Sequence, residues 1–284
     1  MTKLSLRRKL LLALAALVAV VATLFANKTP SHNGDWTLPQ RRLPTIAIND
    51  NDFSIAGIRD FRYDANLRVV REAYIDEHYQ FNDLQRLWFG LSHFGDDVES
   101  KDNGLAHAFL SFEFTGNRFL ALSIEARLQQ GQQYHPLKGL LRNYSKIYLF
   151  GTEADIIGLR SHHRHERVLL YPLNIDRDTG VALLRRYLAE AQALEHQAAY
   201  YNTLTDNCLT GLLRASGQFT TWDFVSNSQL ILPGHSDELA VELKLIDSTL
   251  GLSDLRDHAK IDATIDPNDA NFSQAIRARW SSDP

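Results

Sequence analysis

The chain has 284 residues, 44% of them hydrophobic and 23% charged, with 34 acidic against 30 basic side chains and a net charge of -4. That balance offers no basic surplus for neutralising phosphates, so a nucleic-acid partner is not expected. The apolar fraction is too high for a disordered chain, and 15 Gly with 8 Pro exclude a collagen-like or linker-dominated architecture. A single cysteine, Cys208, excludes an internal disulfide and a Cys-rich zinc site.

Lys3, Arg7, Arg8 and Lys9 precede an apolar run from Leu10 to Phe25 that only Thr23 interrupts. A basic start followed by an uncharged apolar stretch is an export signal or a membrane anchor. Leu24 stands where processing after Ala26 would want a small residue, which favours an uncleaved anchor. Residues 1–27 are thus expected to form one transmembrane helix, with everything after Lys28 exported. Residues 28–56 are rich in Asn, Pro, Asp, Ser and Arg and read as a tether with local turns.

From Ile58 the pattern is mostly short β segments. Asp60-Phe61-Arg62-Tyr63, Val69–Tyr79 and Leu84–Leu91 are candidate strands. Ala106–Phe114 and Arg118–Arg127 alternate around the turn cluster Thr115-Gly116-Asn117 and form the clearest hairpin. Lys146–Phe150 and Val168–Pro172 are further strands. Asp178 or Thr179 caps a helix running to about Ala199, another helix begins near Cys208, and a third runs from Ser236 to about Ile246. The charged tail, 251–284, reads as peripheral. Strands followed by helices predict an α+β domain over 57–250, an antiparallel sheet packed against helices.

The hairpin carries a geometric expectation. If Thr115, Gly116 and Asn117 form the loop, Phe114 pairs with Arg118 and His107 stands opposite Glu125. One face then carries His107, Phe109, Ser111 and Glu113 beside Phe119, Ala121, Ser123, Glu125 and Arg127. The other face is wholly apolar and must be core. A carboxylate beside an imidazole sets its tautomer and stabilises the imidazolium, as a general base requires. A register change of two would exchange Glu125 for Ser123 as the residue that orients His107.

Tyr201-Asn202-Thr203-Leu204-Thr205-Asp206-Asn207-Cys208 precedes an apolar helical stripe, Leu209, Leu212 and Leu213. Thr205, Asp206 and Asn207 are good N-cap residues, so Cys208 falls in the first turn of a helix. Unpaired N–H groups and the helix dipole stabilise a thiolate there, and the same N–H groups can hold an oxyanion. The plainer roles remain open: a small buried cysteine, a structural histidine, a solvated carboxylate.

The segments Ala106-His107-Ala108-Phe109-Leu110-Ser111-Phe112, Leu120-Ala121-Leu122-Ser123-Ile124-Glu125-Ala126-Arg127 and Tyr201 to Cys208 resemble the bacterial Lnb N-terminal periplasmic domain family. Asp60-Phe61-Arg62-Tyr63, Pro136-Leu137-Lys138-Gly139-Leu140 and Leu232-Pro233-Gly234-His235-Ser236-Asp237 resemble it too. The family's namesake is a lipoprotein intramolecular transacylase that moves an acyl chain with a cysteine and a histidine. The resemblance implies those roles for Cys208 and His107, with Glu125 or Ser123 as the third residue. It also implies a bacterial inner-membrane protein with its catalytic domain in the periplasm. The order His then Cys looks like the circularly permuted branch of the papain-like fold. Asp206 departs from the family, which often has Asn there.

These readings converge on a thiol acyltransferase or hydrolase with a membrane lipid or lipoprotein as substrate. Cys208, His107, Glu125 and Ser123 would be catalytic, Asn207 and Thr205 would cap the helix and its oxyanion site, and Arg127, Asn202 and Tyr201 would line the substrate cleft. No cofactor and no metal are expected. A cell-wall amidase and a catalytically silent lipid or envelope-protein binder are the alternatives. Ser161-His162-His163-Arg164-His165-Glu166-Arg167 has metal-like spacing, but its interleaved arginines favour a solvated loop. His93 and His135 read as loop residues, His93 with some claim to the cleft.

Overall fold

The computed structural model describes residues 28–94, 106–203 and 233–281, together with Arg7, Leu12, Ala15 and Ala16. The rest of the expected N-terminal membrane helix, and the helix expected near Cys208, lie outside the described residues. Among the described residues no helix is long and apolar enough to cross a membrane.

The strands are β1 Thr45–Ile48, β2 Asp52–Arg59, β3 Arg62–Tyr63, β4 Val69–Arg71, β5 Tyr74–Gln80, β6 Leu84–His93, β7 Ala106–Phe114, β8 Arg118–Arg127, β9 Ser145–Gly151 and β10 Arg167–Pro172. Eight of them form one sheet in the order β1-β2-β9-β8-β7-β6-β10, with β5 also paired to β2. Pairing is antiparallel except where Arg59 of β2 meets Gly151 of β9. The α+β reading with a mostly antiparallel sheet therefore holds. Val69–Tyr79 is not one strand: the chain leaves the ladder after Arg71, and the Ala73 carbonyl accepts from the Asp60 N–H.

The central hairpin has the expected register. Phe114 pairs with Arg118, and the ladder runs inward to Phe109 opposite Ser123. Gly116 and Asn117 take left-handed φ values of 74° and 56°, which these two residue types tolerate and which lets the tight loop close.

Helices cover both faces of the sheet. Leu110, Phe112, Leu120 and Leu122 face α3, Arg177–His196, through Leu183, Leu184, Tyr187 and Leu188. Its N-cap is Asp176, whose carboxylate accepts from the Thr179 N–H, rather than Asp178 or Thr179. The same core takes Leu239 and Ala240 of α4, Ser236–Glu242, and Leu255 and Ala259 of α5, Leu252–Ala259. The remaining helices are α1, Pro136–Leu140; α2, Glu153–Gly158; and α6, Phe272–Ala275. On the other face Phe109 and Trp88 pack with Ile157 of α2, Phe272 of α6 and Ile276, while Ala121 and Leu149 pack with Ile156.

Two segments are more integral than their composition suggests. Residues 28–56 contribute β1 and the first five residues of β2 to the sheet and bury Trp36 and Gln40. Their polar residues alternate with Ile46, Phe53 and Ile55, so a polar average hides a buried face. The tail after Gly251 is not peripheral. Leu255, Ile261, Phe272 and Ile276 are buried, and Arg277 forms a buried pair with Glu153, which also accepts from Ser111 Oγ at 2.5 Å.

Gly90 is the sheet position least tolerant of a side chain. It pairs with Phe109, and a Cβ there would lie 2.1 Å from the Phe109 ring. Phe109 shares a face with His107, so the bare glycine leaves the space that the ring occupies on the site-bearing face. Gly90→Ala is expected to destabilise the protein by roughly 1–3 kcal/mol through overpacking. Chemical denaturation reads this directly, and an unchanged midpoint would contradict the packing described.

Candidate active site

The site begins as a strand-pattern consequence. Ser123, Glu125 and Arg127 alternate along β8 and point to one face, and His107 on β7 points to the same face. His107 Nε2 lies 2.6 Å from Ser123 Oγ, and Ser123 Oγ donates to Glu125 Oε1 at 2.8 Å. The histidine therefore meets Ser123 directly, and Glu125 reaches it through that hydroxyl. The contact is the diagonal neighbour in the ladder, not the directly opposed one.

Two residues that the sequence pattern did not single out hold the carboxylate. Arg160 Nη2 donates to Glu125 Oε1 at 2.9 Å, and Gln40 Nε2 donates to Oε2 at 2.8 Å. Gln40 also accepts from the Leu128 N–H through Oε1. Arg160 belongs to the run Leu159–His163, which forms a wide turn closed by the Arg164 N–H on the Leu159 carbonyl at 2.9 Å. The segment expected to be a solvated loop thus begins as a buried π-helical turn, a feature often found at functional sites. Glu166, at its end, accepts from Ser92 Oγ at 2.5 Å.

The position of that turn is fixed by buried charge. Thr152 caps α2 by accepting from the Asp155 N–H, and Glu153 and Asp155 occupy the first turn. Asp155 takes Arg59 in a bidentate pair at 2.7 and 2.8 Å and also accepts from Tyr63. These contacts tie α2 to the sheet, and Arg160 follows one turn after Ile156 on the same side. Thr152 with two acids behind it was the available signal of a helix leading to Arg160.

The electrostatics are those of a neutral imidazole above an ionised carboxylate. Burial raises the proton affinity of Glu125, but Arg160, His107 and Arg59 outweigh it and hold the carboxyl well below its ordinary range. Burial and the Arg160 charge push His107 down to about 3, against the opposing pull of Glu125. An ionised Glu125 can only accept, so Ser123 donates to it. Ser123 must then accept from His107, which places the ring proton on Nε2 and the lone pair on Nδ1.

The other expected site residues divide. Cys208, Thr205 and Asn207 lie outside the described residues, as does Asp206. Tyr201 is buried against Ala126 and Tyr144, and its N–H donates to the Tyr144 carbonyl, so it packs as core. Asn202, half-buried, follows it. Arg127 is 3% exposed, with Nε and Nη2 on the Gln40 and Arg41 carbonyls and its guanidinium 4.3 Å over the Trp36 ring. His93 pairs through Nε2 with the Gly234 carbonyl at 3.1 Å, and His135 caps α1 by accepting from the Leu137 N–H.

A family model described as the Lnb N-terminal periplasmic domain matches residues 71–226, more than half of the chain. The chain belongs to this family. No curated protein matches it, and no solved structure does. The match makes this a periplasmic protein of the Lnb family. Within this Lnb domain the matched residues hold His107, Ser123, Glu125 and Arg160, whereas Gln40 and the α5–α6 tail lie outside them.

His107 ties this geometry to pH. Unfolded, it would titrate near the ordinary 6.5; folded, it does so near 3. Between those values the unfolded chain binds a proton that the folded chain refuses. Stability contributed by the neutral ring is therefore complete above about pH 6.5 and is lost as pH falls below it. His93 and His162 are shifted in the same direction by burial. Thermal melts at pH 7.5 and 5.0 should show a drop at the lower pH that is smaller in His107→Gln. An equal drop in both proteins would mean that His107 is not held neutral.

Proposed function

We propose that this chain is a membrane-anchored periplasmic thiol acyltransferase or hydrolase, with Cys208 as nucleophile and His107 as its base, acting on a lipid or lipoprotein acyl group. The observation that carries the proposal is the buried relay His107–Ser123–Glu125, at 2.6 and 2.8 Å, which leaves Nδ1 to accept a proton.

The chain path supports a nearby Cys208. Tyr200 bridges to Ser145, which pairs with Arg127 at the end of β8, and the described chain leaves from there at Thr203. It returns at Pro233, where Gly234 meets His93 beside the start of β7. Both ends thus sit at the end of the sheet that carries His107. Cys208 comes five positions after Thr203, a reach of at most about 17 Å. A cysteine helix at that position, preceded in sequence by the histidine strand, would be the permuted papain-like arrangement.

In this mechanism His107 Nδ1 takes the Cys208 thiol proton and the thiolate attacks the acyl carbonyl carbon. The C–O bond to the leaving alcohol breaks, the alcohol takes the proton from the imidazolium, and a thioester remains on Cys208. An amine, a hydroxyl or water then attacks the thioester and gives its proton to His107, which returns it to the departing sulfur. Ser123 and Glu125 orient the ring. In the helix turn that the sequence predicts after Thr205 and Asn207, the Cys208 backbone N–H would hold the oxyanion. The N-terminal apolar segment supports a lipid-linked substrate, because an anchor confines the site to the bilayer surface.

Alkylation of the single cysteine tests the pair. At pH 7 the Cys208 labelling rate should fall at least about tenfold in His107→Ala. Acyl transfer measured on membrane lipoproteins should fall roughly 10²–10⁴-fold in the same variant and vanish in Cys208→Ser. Equal slow labelling in both proteins, or activity retained in Cys208→Ser, would overturn the mechanism and favour a silent binding domain.

A further inference from the structure

Beyond the proposed chemistry, one cavity has no assigned role. It is an open cavity of about 270 Å³ between residues 28–36, the end of β8 and the stretch before β9. Its volume lies below the roughly 300–1,000 Å³ of sites that take drug-sized ligands, so it suits a small group. Three cations line it, Lys28, Arg127 and Arg142, and among the described residues no carboxylate does; Lys28 Nζ also donates to the Leu141 carbonyl and Asn143 Oδ1. Asn33, Ser31 and Ser145 add neutral polar groups.

Arg127 is the informative member. Its side chain is almost fully buried, yet its described hydrogen-bond acceptors are two backbone carbonyls and its neighbour is the Trp36 ring. Nη1 is buried with no hydrogen-bond partner among the described residues. Burial pushes its pKa down to about 10, with no acid opposing the shift. A buried guanidinium without a counter-charge is costly, and an anion in the cavity would remove that cost. Most other buried arginines here have one: Arg59 has Asp155, Arg160 has Glu125 and Arg277 has Glu153.

We infer that this cavity is a binding site for a phosphate group, held by Arg127 from below and by Lys28 and Arg142 at the rim. Several converging cations suit a tetrahedral, multiply charged oxyanion better than a single carboxylate. Lys28 follows the apolar run that ends at Phe25, so a phospholipid headgroup and a free phosphate ester are the two sources of that chemistry. The site lies on the same strand as Ser123, about 13 Å along β8 at a strand rise near 3.3 Å per residue, and the proposal does not depend on the thiol.

The test uses the full chain in sugar-detergent micelles, which carry no phosphate. Thermal stability is followed on adding glycerol 3-phosphate, inorganic phosphate or acetate at matched ionic strength, and separately phosphatidylglycerol. Glycerol 3-phosphate should raise the melting temperature and acetate should not. The double variant Lys28→Gln/Arg142→Gln should lose at least tenfold in apparent affinity, while Arg177→Gln, removing a distant surface cation, should bind as wild type. Arg127→Met should abolish the response; if it does not fold, the Lys28/Arg142 pair decides. Saturation by phosphatidylglycerol that glycerol 3-phosphate competes away identifies a headgroup site, and a response to the soluble esters alone identifies a free-phosphate site. A wild-type response no greater than that to acetate, or an unchanged response in the double variant, would overturn the proposal.

Discussion

The ion pair between Arg160 and Glu125 sets the state of everything around it. A buried carboxylate with no cation would take up a proton and become a donor, and Ser123 would then have no fixed direction. With Arg160 in place, Glu125 stays ionised, Ser123 donates to it and His107 must carry its proton on Nε2. Stripping one partner from a buried pair costs about 3–5 kcal/mol, because the other is left uncompensated. The pair in turn depends on α2, which the buried pair of Asp155 with Arg59 fastens to the sheet and that of Glu153 with Arg277 fastens to the C-terminal tail. One face of the sheet is thus held by apolar packing against α3, and the other by smaller apolar clusters together with charge networks that also build the site.

Local rules made the hairpin readable. Period-2 alternation over β7 and β8 and a Gly-Asn pair in the loop were enough to place His107, Ser123 and Glu125 on one face. The pattern could not say which hydroxyl or carboxylate would touch the ring, since sheet twist decides between opposed and diagonal neighbours. Gln40 and Arg160 were not readable at all. Their contacts to Glu125 span 85 and 35 residues, and each sits in a stretch whose composition suggests a loop. The tail misled for the same reason: its many charges conceal Leu255, which joins the core on the α3 side of the sheet, and Phe272 and Ile276, which are buried on the other side.

Gln40 joins the two polar regions of the molecule. Its side chain holds Glu125 and the Leu128 N–H, and its backbone carbonyl holds Arg127. The stretch after the N-terminal apolar run is therefore no passive spacer: it supplies one wall of the cationic cavity and one clamp on the relay. Whatever fixes residues 28–42 in place also fixes the carboxylate behind His107.

The direct test is the tautomer of His107. Nitrogen-15 correlation spectra of histidine-labelled protein, assigned with His107→Gln, should show a neutral ring protonated at Nε2 at pH 7, and Ser123→Ala should erase that preference. A ring protonated at Nδ1, or an imidazolium at pH 7, would contradict the relay on which this account rests.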